Sequence, residues 1–123
     1  MSAPSDPPRR SLVLSGRRLS FSEEGAGLPV LALHGLPGSG RDFRWFAPAL
    51  QGRVRLIRVD LPGFGESESI DGLDPLAVAE HLALLLGALE LDRPLVLGHS
   101  FGGPLAVALA GLLPVRGLAL LAS

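Results

Sequence analysis

Near the start of the chain, residues 11–15 (SLVLS) and 18–22 (RLSFS) alternate apolar with polar positions on either side of Gly16-Arg17. That period of two around a glycine turn predicts an antiparallel hairpin with one wet face. The pattern then changes. Residues 30–33, 54–59, 95–97 and 118–121 are short apolar runs, and helical segments separate the later ones. Strands alternating with helices predict an α/β fold, a mostly parallel sheet with helices on both faces. Ser39 followed by Asp42 suits a capped helix start, with Phe43, Phe46, Ala47 and Leu50 on one face. Asp74-Pro75 reads as a cap and first helical position, with Val78, Leu82, Leu85 and Leu89 as the buried stripe of a helix reaching Leu91. A third helix is expected over about 101–113.

Prolines 4, 7 and 8 withhold amide donors, so residues 1–10 are expected to form a disordered tail. Residues 11–123 then form one continuous β/α series without linker or repeat. A chain of 123 residues, 47% hydrophobic and 19% charged, fits one globular domain. The apolar stretches are too short and too interrupted to span a bilayer, and the N-terminus lacks a signal-peptide core. A soluble, cytoplasmic protein is the expectation. Net charge is −1, which leaves no footprint for nucleic acid or an anionic membrane and points to a small-molecule partner. The absence of Cys removes thiol nucleophiles, thiolate metal sites and disulfides, and neither metal nor cofactor is expected.

The strongest chemical signal is Gly98-His99-Ser100-Phe101-Gly102, a G-x-S-x-G pattern between an apolar strand and a helix. A strand-to-helix turn tight enough to present Ser100 strains its backbone, and glycines two positions away let neighbouring chains approach. At a helix N-terminus the Phe101 amide and the helix dipole can stabilise a developing oxyanion. A second signal is the strand 31–33 running into His34-Gly35-Leu36-Pro37-Gly38-Ser39, the kind of loop from which acyl transfer draws a second amide donor, here Leu36. His34, at the strand's end, is expected to orient that loop rather than act as a base.

These residues resemble the α/β-hydrolase superfamily, in its compact esterase and peroxidase-like branch. HGLPGS follows the third strand, DLPGFGES (60–67) the fourth and GHSFGG the fifth, in the family's order, and the resemblance covers residues 11–123. It implies a serine hydrolase of carboxylic esters or related acyl bonds, with Ser100 as nucleophile and the amides of Leu36 and Phe101 as the oxyanion hole. Asp60 and Ser67 would shape the loop after the fourth strand, with Gly35, Gly98, His99 and Gly102 supporting loop and elbow. Members with an aspartate nucleophile, such as epoxide hydrolases and haloalkane dehalogenases, differ at position 100.

The family's triad runs serine, acid, histidine along the chain, yet no Asp, Glu or His follows Ser100. The sequence therefore reads as the N-terminal half of such a domain, a truncated core of strands one to six. Alone it is expected to be inactive, a fragment or split-gene subunit needing a complementing C-terminal half. His99 is expected to pack under the elbow and His81 to lie on a solvated helix face, so neither replaces the base. The apolar strand at 117–122 would otherwise self-associate. One rival reading is a phosphate-binding loop at 35–42 with Asp60 on magnesium. It fails because Arg41 replaces the required lysine, the chain has no Lys, and Asp42 puts an anion beside the phosphates.

Overall fold

The structure, a computed structural model, describes residues 7–44, 47–50, 52–72 and 74–122. The expected hairpin is formed by β1 (Arg10–Leu14) and β2 (Arg17–Gly25), with Ser15 and Gly16 in the left-handed region at the turn. Leu19 and Phe21 are fully buried, but so are the alternating Ser20 and Ser22, so this stretch of β2 lacks the expected wet face because β4 and the 60–68 loop pack against it. Four further strands follow, β3 (Leu28–Leu33), β4 (Val54–Val59), β5 (Leu95–His99) and β6 (Gly117–Leu121). The six-stranded sheet has the order β1-β2-β4-β3-β5-β6, with β1, β2 and β4 joined antiparallel and the other neighbours parallel.

The chain leaves β3 for β4 on one side and returns to place β5 on the other, so the strand order reverses at β3. In open parallel sheets, ligands sit in the crevice beyond the carboxyl ends of strands at such a reversal. Leu33 pairs with Gly98, which puts the ends of β3 and β5 side by side.

Two helices, α1 (Pro75–Ala88) and α2 (Gly102–Leu112), cover one face and close the larger core, in which Leu31, Leu33, Ile57, Val59 and Val96 meet Leu82, Leu85, Leu105 and Leu109. Asp74 caps α1 by accepting the Ala77 N–H at 3.3 Å, and Pro75 occupies the first turn, where its missing N–H costs least. The helix ends at Ala88, short of the expected Leu91, and Glu90 then turns left-handed.

The other face departs from expectation. In place of a helix through 39–50 there are two short 3-10 turns, Gly40–Phe43 and Ala47–Leu50, over a small cluster of Val30, Ala32, Phe43, Ala47, Leu56 and Leu97. Pro48 explains the loss, because within a continuing helix it would remove a hydrogen bond and clash with the preceding turn. Ser39 still caps, accepting the Arg41 N–H at 3.1 Å. Phe46 and tail residues 1–6 lie outside the described residues. Arg9 and Arg10 depart from the expected tail, since β1 begins at Arg10 and Arg9 pairs with Asp60.

His81 also differs from its expected place on a solvated helix face. It is 6% exposed, and its Nε2–H donates to the Leu14 carbonyl at 2.9 Å, tying α1 to β1. Its position between Val78 and Leu85 on the inner face of α1 outweighs the polarity of its neighbour Glu80. Among the described residues no helix is long and apolar enough to cross a membrane.

Candidate active site

Ser100 has φ of 56°, a left-handed conformation that costs a non-glycine residue of order 1–3 kcal/mol and persists only where packing enforces it. The enforcement comes from two glycines. A Cβ on Gly98 would lie 2.7 Å from the carbonyl carbon of Gly102 and 2.9 Å from Cα of Gly103. A Cβ on Gly102 would meet the carbonyl carbon of Leu33 at 2.8 Å. The start of α2 is therefore pressed against both β5 and β3, and the chain can cross from strand to helix only through a sharp turn at Ser100. Two backbone bonds hold that turn, from Ser100 N–H to the Leu121 carbonyl and from Gly103 N–H to the Ser100 carbonyl, each 2.9 Å.

The loop after β3 lies against this turn. A Cβ on Gly35 would come within 2.9 Å of the Ser100 Cβ and 3.4 Å of its Oγ, so only glycine lets the loop pass beside the hydroxyl. Leu36 follows directly, half-buried.

Two buried side chains fix the ends of this loop. His34 is fully buried; the Leu61 N–H donates to its Nε2 at 2.9 Å, and its Nδ1–H donates to the Gly35 carbonyl at 2.6 Å. An amide can only donate, so Nε2 must carry the lone pair and the ring is neutral. Burial pushes the His34 pKa below the usual imidazole range, against a smaller opposing pull from the Gly35 carbonyl. With its one basic nitrogen occupied, His34 orients the loop and is not available as a base. Its ring meets Phe64 edge-on, with centroids 6.1 Å apart.

Asp60, also fully buried, holds the far end. Its Oδ1 accepts from the Gly40 N–H at 2.8 Å and from Arg9 Nη2 at 3.0 Å, and Oδ2 accepts from the Glu66 N–H at 3.1 Å. Ser67 knits the same loop to the sheet, donating from Oγ to the Asp60 carbonyl at 2.6 Å and accepting the Ser20 N–H at 2.8 Å. This commitment of Asp60, together with the 3-10 turn where a helix would have to open, removes the phosphate-loop reading.

His99 does not pack under the elbow as expected; it is exposed. By strand alternation it shares a face with Leu97, a face that among the described residues is covered by the two thin 3-10 turns. Arg9 escaped the sequence reading because a proline-rich segment carries no pattern that marks a buried ion pair. A cavity of about 530 Å³ lined by Ser15, Arg17, Asp71, Glu80, His81 and Leu84 lies away from Ser100.

Residues 29–123 match the family model of the alpha/beta hydrolase fold. The chain belongs to that family. It is 35% identical over 95 residues to the soluble epoxide hydrolase of Corynebacterium sp. (strain C12), covering 76% of this chain and 33% of that protein. It is 36% identical over 117 residues to the 2-hydroxymuconate semialdehyde hydrolase of Pseudomonas sp. (strain CF600), covering 89% of this chain and 41% of that protein. The structure of epoxide hydrolase CorEH superposes with a TM-score of 0.87 at 31% identity, over 92% of this chain and 41% of that one. An alpha/beta hydrolase fold protein from Burkholderia ambifaria gives 0.81 at 29% identity, over 90% and 42%. The chain thus spans less than half the length of these relatives.

Proposed function

We propose that this member of the alpha/beta hydrolase fold family carries the nucleophile and oxyanion hole of a serine hydrolase that cleaves carboxylic esters or related acyl bonds through an acyl-enzyme on Ser100. The observation that carries the reading is Ser100 held left-handed at the head of α2, with Gly35 against its hydroxyl. Attack on a carbonyl by Ser100 Oγ creates a tetrahedral oxyanion, which needs amide donors already aimed at it. Ser100's own N–H is committed to Leu121. The Phe101 N–H in the first turn region and the Leu36 N–H on the adjoining loop are the donors we assign to it.

Relatives named as epoxide hydrolases and a haloalkane dehalogenase raise an alkyl-transfer alternative. The residue at the elbow weighs against it. Displacement at a saturated carbon by a serine oxygen leaves an ether, which water does not cleave, whereas attack on an acyl carbon leaves an ester that a second attack releases. A serine elbow turns over acyl substrates and is trapped by alkyl ones. The 2-hydroxymuconate semialdehyde hydrolase relative is consistent with chemistry at a carbonyl.

The base and its acidic partner are proposed to come from polypeptide outside these residues. Of the three histidines, His34 is tied up in the loop, His81 is tied to β1, and His99 lies by strand alternation on the Leu97 face of the sheet, away from the side that α2 covers. The test is p-nitrophenyl acetate turnover, with mass analysis of the Ser100 peptide, for the chain alone and with a complementing segment that supplies a strand ending in Asp or Glu and a later His. Ser100-dependent acylation and turnover are expected only with the segment. Acylation elsewhere, or turnover unchanged in Ser100→Ala, would overturn the assignment.

A further inference from the structure

The 35–40 loop is held at its start by His34 and at its end by Asp60. The second of these depends on a residue from the proline-rich N-terminal segment. We propose that Arg9 is a positioning residue for the candidate site, clamping the Asp60 carboxylate so that it holds Gly40 and Glu66 in place. The inference rests on the reading of Ser100 and this loop as the site.

The carboxylate is enclosed on its other sides. A Cβ on Gly65 would fall 2.5 to 2.7 Å from its two oxygens, so only glycine can lie over it, and among the described residues its hydrogen bonds come from the Gly40 and Glu66 amides and Arg9. Arg9 also reaches Glu66, with Nε 3.4 Å from Oε2, and so brackets both the buried acid and the residue whose amide binds it. A buried carboxylate keeps its geometry only while it is paired and hydrogen-bonded. Without the guanidinium, Asp60 recovers solvation by turning outward or admitting water, and either movement releases the Gly40 N–H. Gly40 has little freedom of its own, since even a Cβ there would meet the Arg58 backbone at 3.1 Å. Loosening this end frees residues 36–39, which include the Leu36 amide assigned to the oxyanion. Arg9 gives Asp60 and Glu66 one contact each from different nitrogens, a span that lysine cannot fully reproduce, but lysine restores the charge.

Amide hydrogen exchange on the full chain tests this in wild type, Arg9→Ala and Arg9→Lys. In Arg9→Ala the Gly40 and Glu66 amides are expected to exchange about tenfold faster, residues 36–39 following, while Val96 and Leu97 of β5 keep their protection. Arg9→Lys should recover most of the difference. Unchanged exchange at Gly40 and Glu66, or acceleration of β5 to the same degree, would overturn the proposal, the latter because it marks a loss of global stability only. A second readout, taken with the complementing segment present, is the labelling rate of Ser100 by a fluorophosphonate probe, which should fall in Arg9→Ala and recover in Arg9→Lys. Equal labelling despite faster exchange breaks the link between Arg9 and the site. Failure of wild type to label even with that segment counts against the nucleophile reading, while the exchange data still decide the clamp.

Discussion

Alanine at Gly102 perturbs the elbow most directly. Its methyl carbon would collide with the Leu33 carbonyl oxygen and lie 2.8 Å from the carbonyl carbon and 3.1 Å from the Leu33 Cβ. Leu33 is fully buried and paired to Val59 on one side and Gly98 on the other, so the strand cannot yield and the head of α2 must move. Forcing a methyl into a packed core costs about 1–3 kcal/mol, and with backbone as the obstacle the upper end, about 3 kcal/mol, applies. For a chain between the small and mid-sized domains, each kcal/mol shifts Tm by roughly 3–5 °C, so a fall of about 10–15 °C is expected. Gly111 lies in the same helix with nothing within 4 Å of its would-be Cβ, and alanine there should gain up to about 1 kcal/mol from helix propensity. One substitution thus has opposite signs at the two ends of α2. Thermal and urea unfolding of the three proteins reads both. If Gly102→Ala melts within about 3 °C of wild type, α2 is not locked against β3 and the account of Ser100's backbone is wrong.

Because burial lowers the His34 pKa, the folded state binds fewer protons than the unfolded state between that lowered value and 6.5. Stability is full above pH 6.5 and declines as pH falls through this window; His34→Asn should flatten that part of the urea-midpoint profile, and parallel profiles would count against the neutral pin. Glu23 has its pKa lowered by the Arg55 hydrogen bond, so it contributes stability above 4.5 that is lost as pH falls through its folded value. Arg55→Met should reduce that acid-side loss, leaving the part due to Arg10, and an unchanged acid limb would refute it. Leu118, Leu120 and Leu121 are 39%, 46% and 47% exposed on the edge strand β6, so the isolated chain is expected to self-associate in sedimentation, and a monodisperse monomer would refute this.

The parts of the fold that were legible were those with a local cause. Alternation along 18–22 and the apolar run at 54–59 gave β2 and β4, and Asp74-Pro75 gave the start of α1. The G-x-S-x-G spacing in its strand and helix context anticipated where glycine is required, because that constraint is steric and close in sequence. The misread features depended on distant partners. His81 looked solvated beside Glu80 and is buried because β1 packs across α1; His99 looked buried and is exposed because the layer facing it is two 3-10 turns. Arg9 pairs across 51 positions with Asp60, a separation that no local pattern reports.

The devices that shape the site share a physical character. The left-handed Ser100 is held by glycine packing against β3, the adjoining loop by a neutral imidazole between two backbone groups, and its far end by a carboxylate on two amides. Each acts on backbone, and none uses a group that must gain or lose a proton during acyl transfer. A site built this way pays its ordering cost at folding, which is the condition for amides to stabilise an oxyanion without reorganising when it forms. It also separates geometry from proton transfer. Substitutions at His34, Gly35, Asp60 or Arg9 should change how well the oxyanion is held, whereas the pH dependence of turnover should follow a base that none of these residues supplies.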